Sequence, residues 1–203
     1  FEQFVENNLN ADTKLLALHT KNTEDFNKNK AITQIALLQK AQKKIPTFFE
    51  KRCMLSQKSY EQSSSERVAL YKSSLFSGRK MLDVTGGLGV DDYFFSKRFE
   101  GVISLDPDTE LNETVRRNFE KLGTANMIRL DAKAEVFLEN NRESYDLIYA
   151  DPDRRTSTHQ RKIHVNNWQP NIVQLMPKIW EQTKLFVLKM SPVFDLNELY
   201  KLF

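Results

Sequence analysis

The sequence predicts an α/β protein: a doubly wound, mostly parallel sheet preceded by a small helical region. Three observations carry that prediction. From Lys80 onward, short apolar runs alternate with segments of helical periodicity, and strands joined by crossover helices make a parallel sheet covered on both faces. Before that point, residues 1 to about 75 contain no glycine and repeat apolar residues at helical spacing. Between the two textures lies MLDVTGGLGVDD, residues 81 to 92, in which an apolar strand runs into three glycines within four positions. Something approaches that backbone closely.

In the helical region the apolar sets are Leu15, Leu16, Leu18; Ile32, Ile35, Ala36, Leu38; and Val68, Ala69, Tyr71, Leu75. Asp12 and Thr13 can cap a second helix, Pro46 suits the first turn of a fourth, and serines 63 to 65 with Glu66 form a capping-box pattern. The strands of the second region read MLDV, GVISLD, MIRLD, YDLIYAD and LFVLKMSP. Helices fall between them around 93 to 98, 109 to 122, 133 to 140 and 170 to 182. The expected division is a helical region over 1–75 and an α/β domain over 76–203.

The composition excludes more than it predicts. In 203 residues, Lys plus Arg number 30 against 27 for Asp plus Glu, a mild excess that allows a polyanionic partner without requiring one. A single cysteine, Cys53, rules out an internal disulfide, and His19, His159 and His164 with no second thiol give no metal spacing. No apolar run reaches the length of a membrane span, and FEQFVENNLN lacks the features of a signal peptide. The cytoplasm is therefore the default compartment, and nothing fixes an oligomeric state. The chain begins at Phe1 and stops within an amphipathic pattern at LYKLF, so both ends are expected to be cut and the sheet to be incomplete.

Four of the five strands end in or just before an acid: Asp83, Asp106, Asp131 and Asp151. Ligands of such sheets bind outside the carboxyl ends of the strands. Gly86, Gly87 and Gly89 are expected to remove side chains where a nucleoside-bearing cofactor passes. Their order, G-G-x-G behind an acid, does not fit the dinucleotide fingerprint and points away from NAD. Asp106 lies 23 positions after Asp83, close to the spacing at which a carboxylate reaches ribose hydroxyls. Taken alone, the glycine turn is equally compatible with a plain tight turn.

This acid-then-glycine order resembles the first motif of class I S-adenosylmethionine-dependent methyltransferases, with Thr85 where the family has its first glycine. The resemblance implies the Rossmann-like fold of that class, S-adenosyl-L-methionine as cofactor, Asp83, Thr85, Gly86, Gly87 and Gly89 as its cradle, and Asp106 on its ribose. It further implies an adenine contact at Asp131 and Ala132, and two more strands after the fifth. YADPDRR, 149 to 155, matches the position of the family's fourth motif at Asp151 and Pro152, which would face the acceptor. Asp153 and Arg154 depart from it, removing the aromatic that stacks on a base. Arg154 and Arg155 are expected on the acceptor side, the alternative being a solvated turn.

YEQSSSERVALYK, 60 to 72, resembles a segment that folds over the cofactor in cap-guanosine hypermethylating relatives. It implies cofactor contacts at Gln62, Ser64 and Ser65, the alternative being a capped helix. SSSERVALYKSSL, DVTGGLGVDD and DPDRR together are similar to a bacterial group of methyltransferase-like proteins that carry ferredoxin-like and THUMP-like segments after this domain. An RNA substrate follows by analogy with these relatives, with Arg116-Arg117, Arg161-Lys162 and Lys43-Lys44 as candidate phosphate contacts. A non-catalytic RNA-binding or assembly module that retains the cofactor pocket is the second reading. Lys189 beside Asp151 would instead resemble part of the tetrad of sugar-hydroxyl methyltransferases, which ranks lower.

Overall fold

The computed structural model describes residues 1–19, 27–152 and 168–190. Six helices come first: α1 (Glu2–Asn7), α2 (Thr13–His19), α3 (Lys28–Lys44), α4 (Pro46–Glu50), α5 (Gln57–Gln62) and α6 (Glu66–Ser74). Then follow β1 (Gly78–Asp83), α7 (Val90–Phe95), β2 (Phe99–Asp106), α8 (Thr109–Leu122), β3 (Met127–Asp131), α9 (Ala134–Asn140), β4 (Leu147–Ala150), α10 (Ile172–Gln182) and β5 (Phe186–Leu188). All five strands are parallel, in the order β3-β2-β1-β4-β5. That order reverses direction between β1 and β4, which opens a crevice at their carboxyl ends.

Local chemistry fixes the helix ends. Asp12 accepts the N–H groups of Lys14 and Leu15, Asn27 that of Lys30, and Asp108 that of Leu111. Gly123, left-handed at φ +68°, ends α8. The expected capping box at Glu66 is not formed. Ser65 caps α6 by accepting from Val68, so Glu66 is the first helical residue and its carboxylate accepts instead from the N–H and hydroxyl of Thr47. The capping box lies one helix earlier, between Ser56 and Ser59.

Strand alternation sorts the sheet's side chains between two layers. Leu82, Leu105, Ile148 and Ala150 pack with Leu138, Leu175 and Ile179 of α9 and α10. Met81, Val102, Leu147 and Tyr149 pack on the opposite face with Phe95 of α7. A third cluster runs from the amino-terminal helices, through Ile35, Leu38 and Phe48, into Val90, Phe94, Val115 and Phe119 of α7 and α8. The helical region therefore shares its core with one helix layer of the α/β domain. Among the described residues no helix is long and apolar enough to cross a membrane.

Candidate active site

The glycine turn is built from below by Arg129. This side chain leaves the middle of β3 fully buried and donates to Asn112 Oδ1 (2.6 Å), Ser104 Oγ (2.7 Å) and the carbonyl of Gly87 (2.7 Å). A Cβ at Gly86 would lie 1.8 Å from Arg129 Nη1, and one at Gly89 would lie 2.7 Å from the Phe119 ring. The protein's own interior therefore requires glycine at these two positions, which also line the cavity. Of the three glycines of the turn, Gly87, with φ +51°, is the one where a Cβ would meet nothing closer than 3.8 Å.

Thr85 occupies its position for a reason of its own. Its hydroxyl donates to Asp83 Oδ1 at 2.9 Å and accepts the backbone N–H of Asp151 at 2.7 Å, so it ties the end of β1 to the chain leaving β4. Asp83 Oδ1 also accepts the Thr85 N–H at 2.6 Å.

Register brings the strand-end acids together. Asp106 is aligned with Asp131 across β2 and β3. Asp106 accepts the N–H of Gly87 at 3.0 Å on one oxygen and that of Asp108 at 2.9 Å on the other. Asp131 accepts from Asn112 Nδ2 (2.5 Å) and Arg116 Nη2 (2.7 Å), and these hydrogen bonds hold its carboxyl below the usual range. Asp83 and its neighbour Asp92 are fully buried. Burial first, then the charge and contact of Asp92, push the Asp83 carboxyl well above the ordinary range. Burial raises Asp92 as well, against the pull of Arg129.

At the far side, pairing of Ala150 with Leu188 sets Asp151 beside Lys189, whose Nζ lies 2.5 Å from Asp151 Oδ2. Asp153, Arg154 and Arg155 lie outside the described residues, as do Arg161 and Lys162. Two other basic candidates have partners within the protein. Arg116 is bound to Asp131 and the carbonyl of Arg129, and Lys44 donates to the carbonyls of Tyr60 and Glu61. Both are thus engaged within the protein. Burial and the nearby Lys189 lower the Lys44 ammonium from its ordinary value.

The segment before β1 closes the remaining side. Ser64 Oγ and Lys72 Nζ both donate to Asp91 Oδ2, at 2.9 and 2.6 Å, and Lys72 also donates to Tyr149 OH at 2.7 Å. Burial, then the charge of Asp91, push the Tyr149 phenol strongly upward. This cluster locks α6 to the first turn of α7 and to β4.

These elements enclose a cavity of about 1330 Å³, larger than the roughly 300–1,000 Å³ of most small-ligand sites. Asp83, Thr85, Gly86, Gly87, Gly89 and Asp106 line it on one side. Gln62 and Ser64 line it from the helical region, and Asp151, Pro152 and Lys189 at the far end. Asp131, Ala132 and Ser65 are not in its wall, although Lys133 and Ala134 are. Among the described residues the wall carries eight carboxyl groups against four lysines, a balance that favours a cationic ligand. Trp168 supplies an aromatic side chain to the same wall, which the sequence motif at Asp151 lacks. No group of three metal-ligating side chains occurs among the described residues.

No protein-family model matches the chain, and no curated protein does. Solved structures do. A crystal structure of a "putative methyltransferase" from Porphyromonas gingivalis W83 superposes with a TM-score of 0.82 at 22% identity, over 98% of this chain. The chain has a Rossmann-like methyltransferase fold. It spans 50% of the length of that protein. Lower similarities include an rRNA methylase from Streptococcus thermophilus (TM-score 0.46, 13% identity, 66% of this chain and 75% of that one). A "putative methyltransferase" from Streptococcus mutans in complex with SAH gives 0.46 at 17% identity, over 60% and 69% of the two chains.

Sequence reasoning missed Arg129, Lys72, Asp91, Asp92 and Tyr149. A signal existed for three of them: Arg129 is a charge inside the apolar strand MIRLD, and Asp91-Asp92 is an acid pair directly behind the glycines.

Proposed function

We propose that the chain is an S-adenosyl-L-methionine-dependent methyltransferase acting on RNA. The observation that carries the reading is the acidic cavity at the carboxyl ends of β1, β2 and β4, walled by the glycine turn and Asp106 at one end and the Asp151–Lys189 pair at the other. Its residues fit the cofactor: a carboxylate at the end of β2, backbone exposed at Gly87, and carboxyl groups for a cation. Gly87, Asp106 and Ser64 would hold it, and the methyl group it supplies is already activated as a sulfonium. The likeness to a protein named as a methyltransferase supports the same reading.

The protein's task is then to position the acceptor. Asp151 is fixed twice, through its N–H by Thr85 and through its carboxylate by Lys189, so it can accept a hydrogen bond from an acceptor N–H or O–H in a defined direction. Pro152 fixes the chain's exit from β4. For RNA, Arg154 and Arg155 are the proposed contacts, since a guanidinium can fork onto a phosphate or lie on a base. The domain division at residue 75 and the additional adenine contacts at Asp131 and Ala132 belong to this proposal. Transfer of a labelled methyl group to total cellular RNA by the full-length protein tests it. Label in RNA that is lost with Asp151→Ala supports it, whereas cofactor binding without transfer to any RNA favours a non-catalytic module.

A further inference from the structure

Five carboxyl groups, Asp83, Asp91, Asp92, Asp106 and Asp151, stand around the glycine turn and the cavity. Four have a cation within ion-pair distance: Asp91 with Lys72 at 2.6 Å, Asp151 with Lys189 at 2.5 Å, and Asp92 and Asp106 each 3.5 Å from Arg129. Asp83 has none among the described residues, although it is only 1% exposed and lines the cavity. An uncompensated buried carboxylate is costly and stays neutral until it finds a partner.

The hydrogen bonds of Asp83 and Asp92 leave a buried oxygen without a donor. Asp83 uses Oδ1 for the N–H and hydroxyl of Thr85. Asp92 uses Oδ2 for Ser104 and Arg129, while its Oδ1 is buried with no donor. Burial, and then the charge and contact of Asp92, raise the Asp83 carboxyl, and two buried carboxyl groups in contact favour holding one proton between them. Around them are Asp91 on α7, Ser104 and Asp106 on β2, Arg129 on β3, Tyr149 on β4 and Lys72 on α6. The two cations of this shell already have the carboxylates named above.

We propose that Asp83, paired with Asp92, is the counter-ion of a cationic cofactor, and that the proton they share leaves when the cation arrives. The site thereby distinguishes a sulfonium from the neutral thioether formed by methyl transfer. The exchange balances: one O–H bond of the pair breaks, its proton passes to the buffer, and the incoming positive charge replaces it. This rests on the methyltransferase reading but adds a specificity that the reading does not require.

Titration calorimetry in two buffers of different ionisation enthalpy counts the protons released on binding. The probes are S-adenosylmethionine, an analogue carrying an ammonium at the sulfur position, and S-adenosylhomocysteine. At pH values above the ordinary carboxyl range, where the free pair still holds its proton, the two cationic ligands should release up to one proton and tighten by up to about tenfold per pH unit, while the thioether changes by less than about twofold. Asp83→Asn, which keeps the hydrogen bonds of the protonated pair, should abolish the release and the tightening. The wild-type measurement stands even if that variant does not fold. Binding of all three ligands with no difference in proton release overturns this inference and leaves the proposed function intact. Absence of binding by any of them overturns both.

Discussion

The hydroxyl of Thr85 accepts the backbone N–H of Asp151 at 2.7 Å while donating to Asp83 at 2.9 Å. The residue that departs from the glycine pattern is thus the link between the glycine turn and the Asp151 end of the cavity. Thr85→Val should leave the Asp151 N–H without its partner and cost about 1–3 kcal/mol of stability in denaturant unfolding. It should lower single-turnover transfer more than cofactor affinity, and Thr85→Ser should restore both.

Gly86 and Gly87 are adjacent, yet they should respond differently to alanine. At Gly86 a Cβ must displace the buried Arg129 guanidinium from 1.8 Å, an overpacking cost of roughly 1–3 kcal/mol or more. At Gly87 the cost should be only that of a left-handed backbone, about 1 kcal/mol, with the effect falling on ligand binding. Unfolding curves and titrations of the two variants separate these outcomes.

Arg129→Met should be among the most damaging single changes. It strips the partner from Asp92 and Asp106 together, and breaking a buried pair costs about 3–5 kcal/mol. Equilibrium unfolding near neutral pH provides the number, and a loss below about 1 kcal/mol would mean that the loop does not depend on it.

The raised Asp83 carboxyl sets a sign for pH dependence. Because its folded value lies above its unfolded one, its contribution is fully present below about pH 3.9 and declines as pH rises toward the folded value. Asp83→Asn should flatten that part of the stability profile relative to wild type. A wild-type profile that rises over the same interval by as much as the variant's would contradict the assignment.

Cys53 is buried, and burial pushes its thiol up to about 12. A thiol reagent near pH 8 should therefore label it only after the helical region opens. Fast labelling of the native protein would contradict this packing.

Much of the fold was legible because each strand was short and bounded, and because α8 has a strong helical period between a capping Asp108 and Gly123. What could not be read was pairing across the sheet. The contact of Asp151 with Lys189 depends on the β4–β5 register, and Arg129 reaches the glycine turn across β2 from β3, contacts between residues 42 positions apart in the chain. The glycines were recognised as a close approach, but the sequence does not say which neighbour approaches. At Gly86 and Gly89 it was Arg129 and Phe119. The capping box was misplaced because three consecutive serines offer three possible caps, and only their tertiary partners, Asp91 for Ser64 and Thr47 for Glu66, distinguish them.

The central claim is that the cavity at the strand ends is a cofactor site, and calorimetric titration with S-adenosylmethionine tests it most directly. Asp106 would accept hydrogen bonds from the ribose hydroxyls, each worth roughly 1.5–3 kcal/mol because the acceptor is charged. Wild-type protein should therefore bind, and Asp106→Ala should bind at least about tenfold more weakly. No heat with the wild type, or equal affinity in the folded variant, would contradict the account.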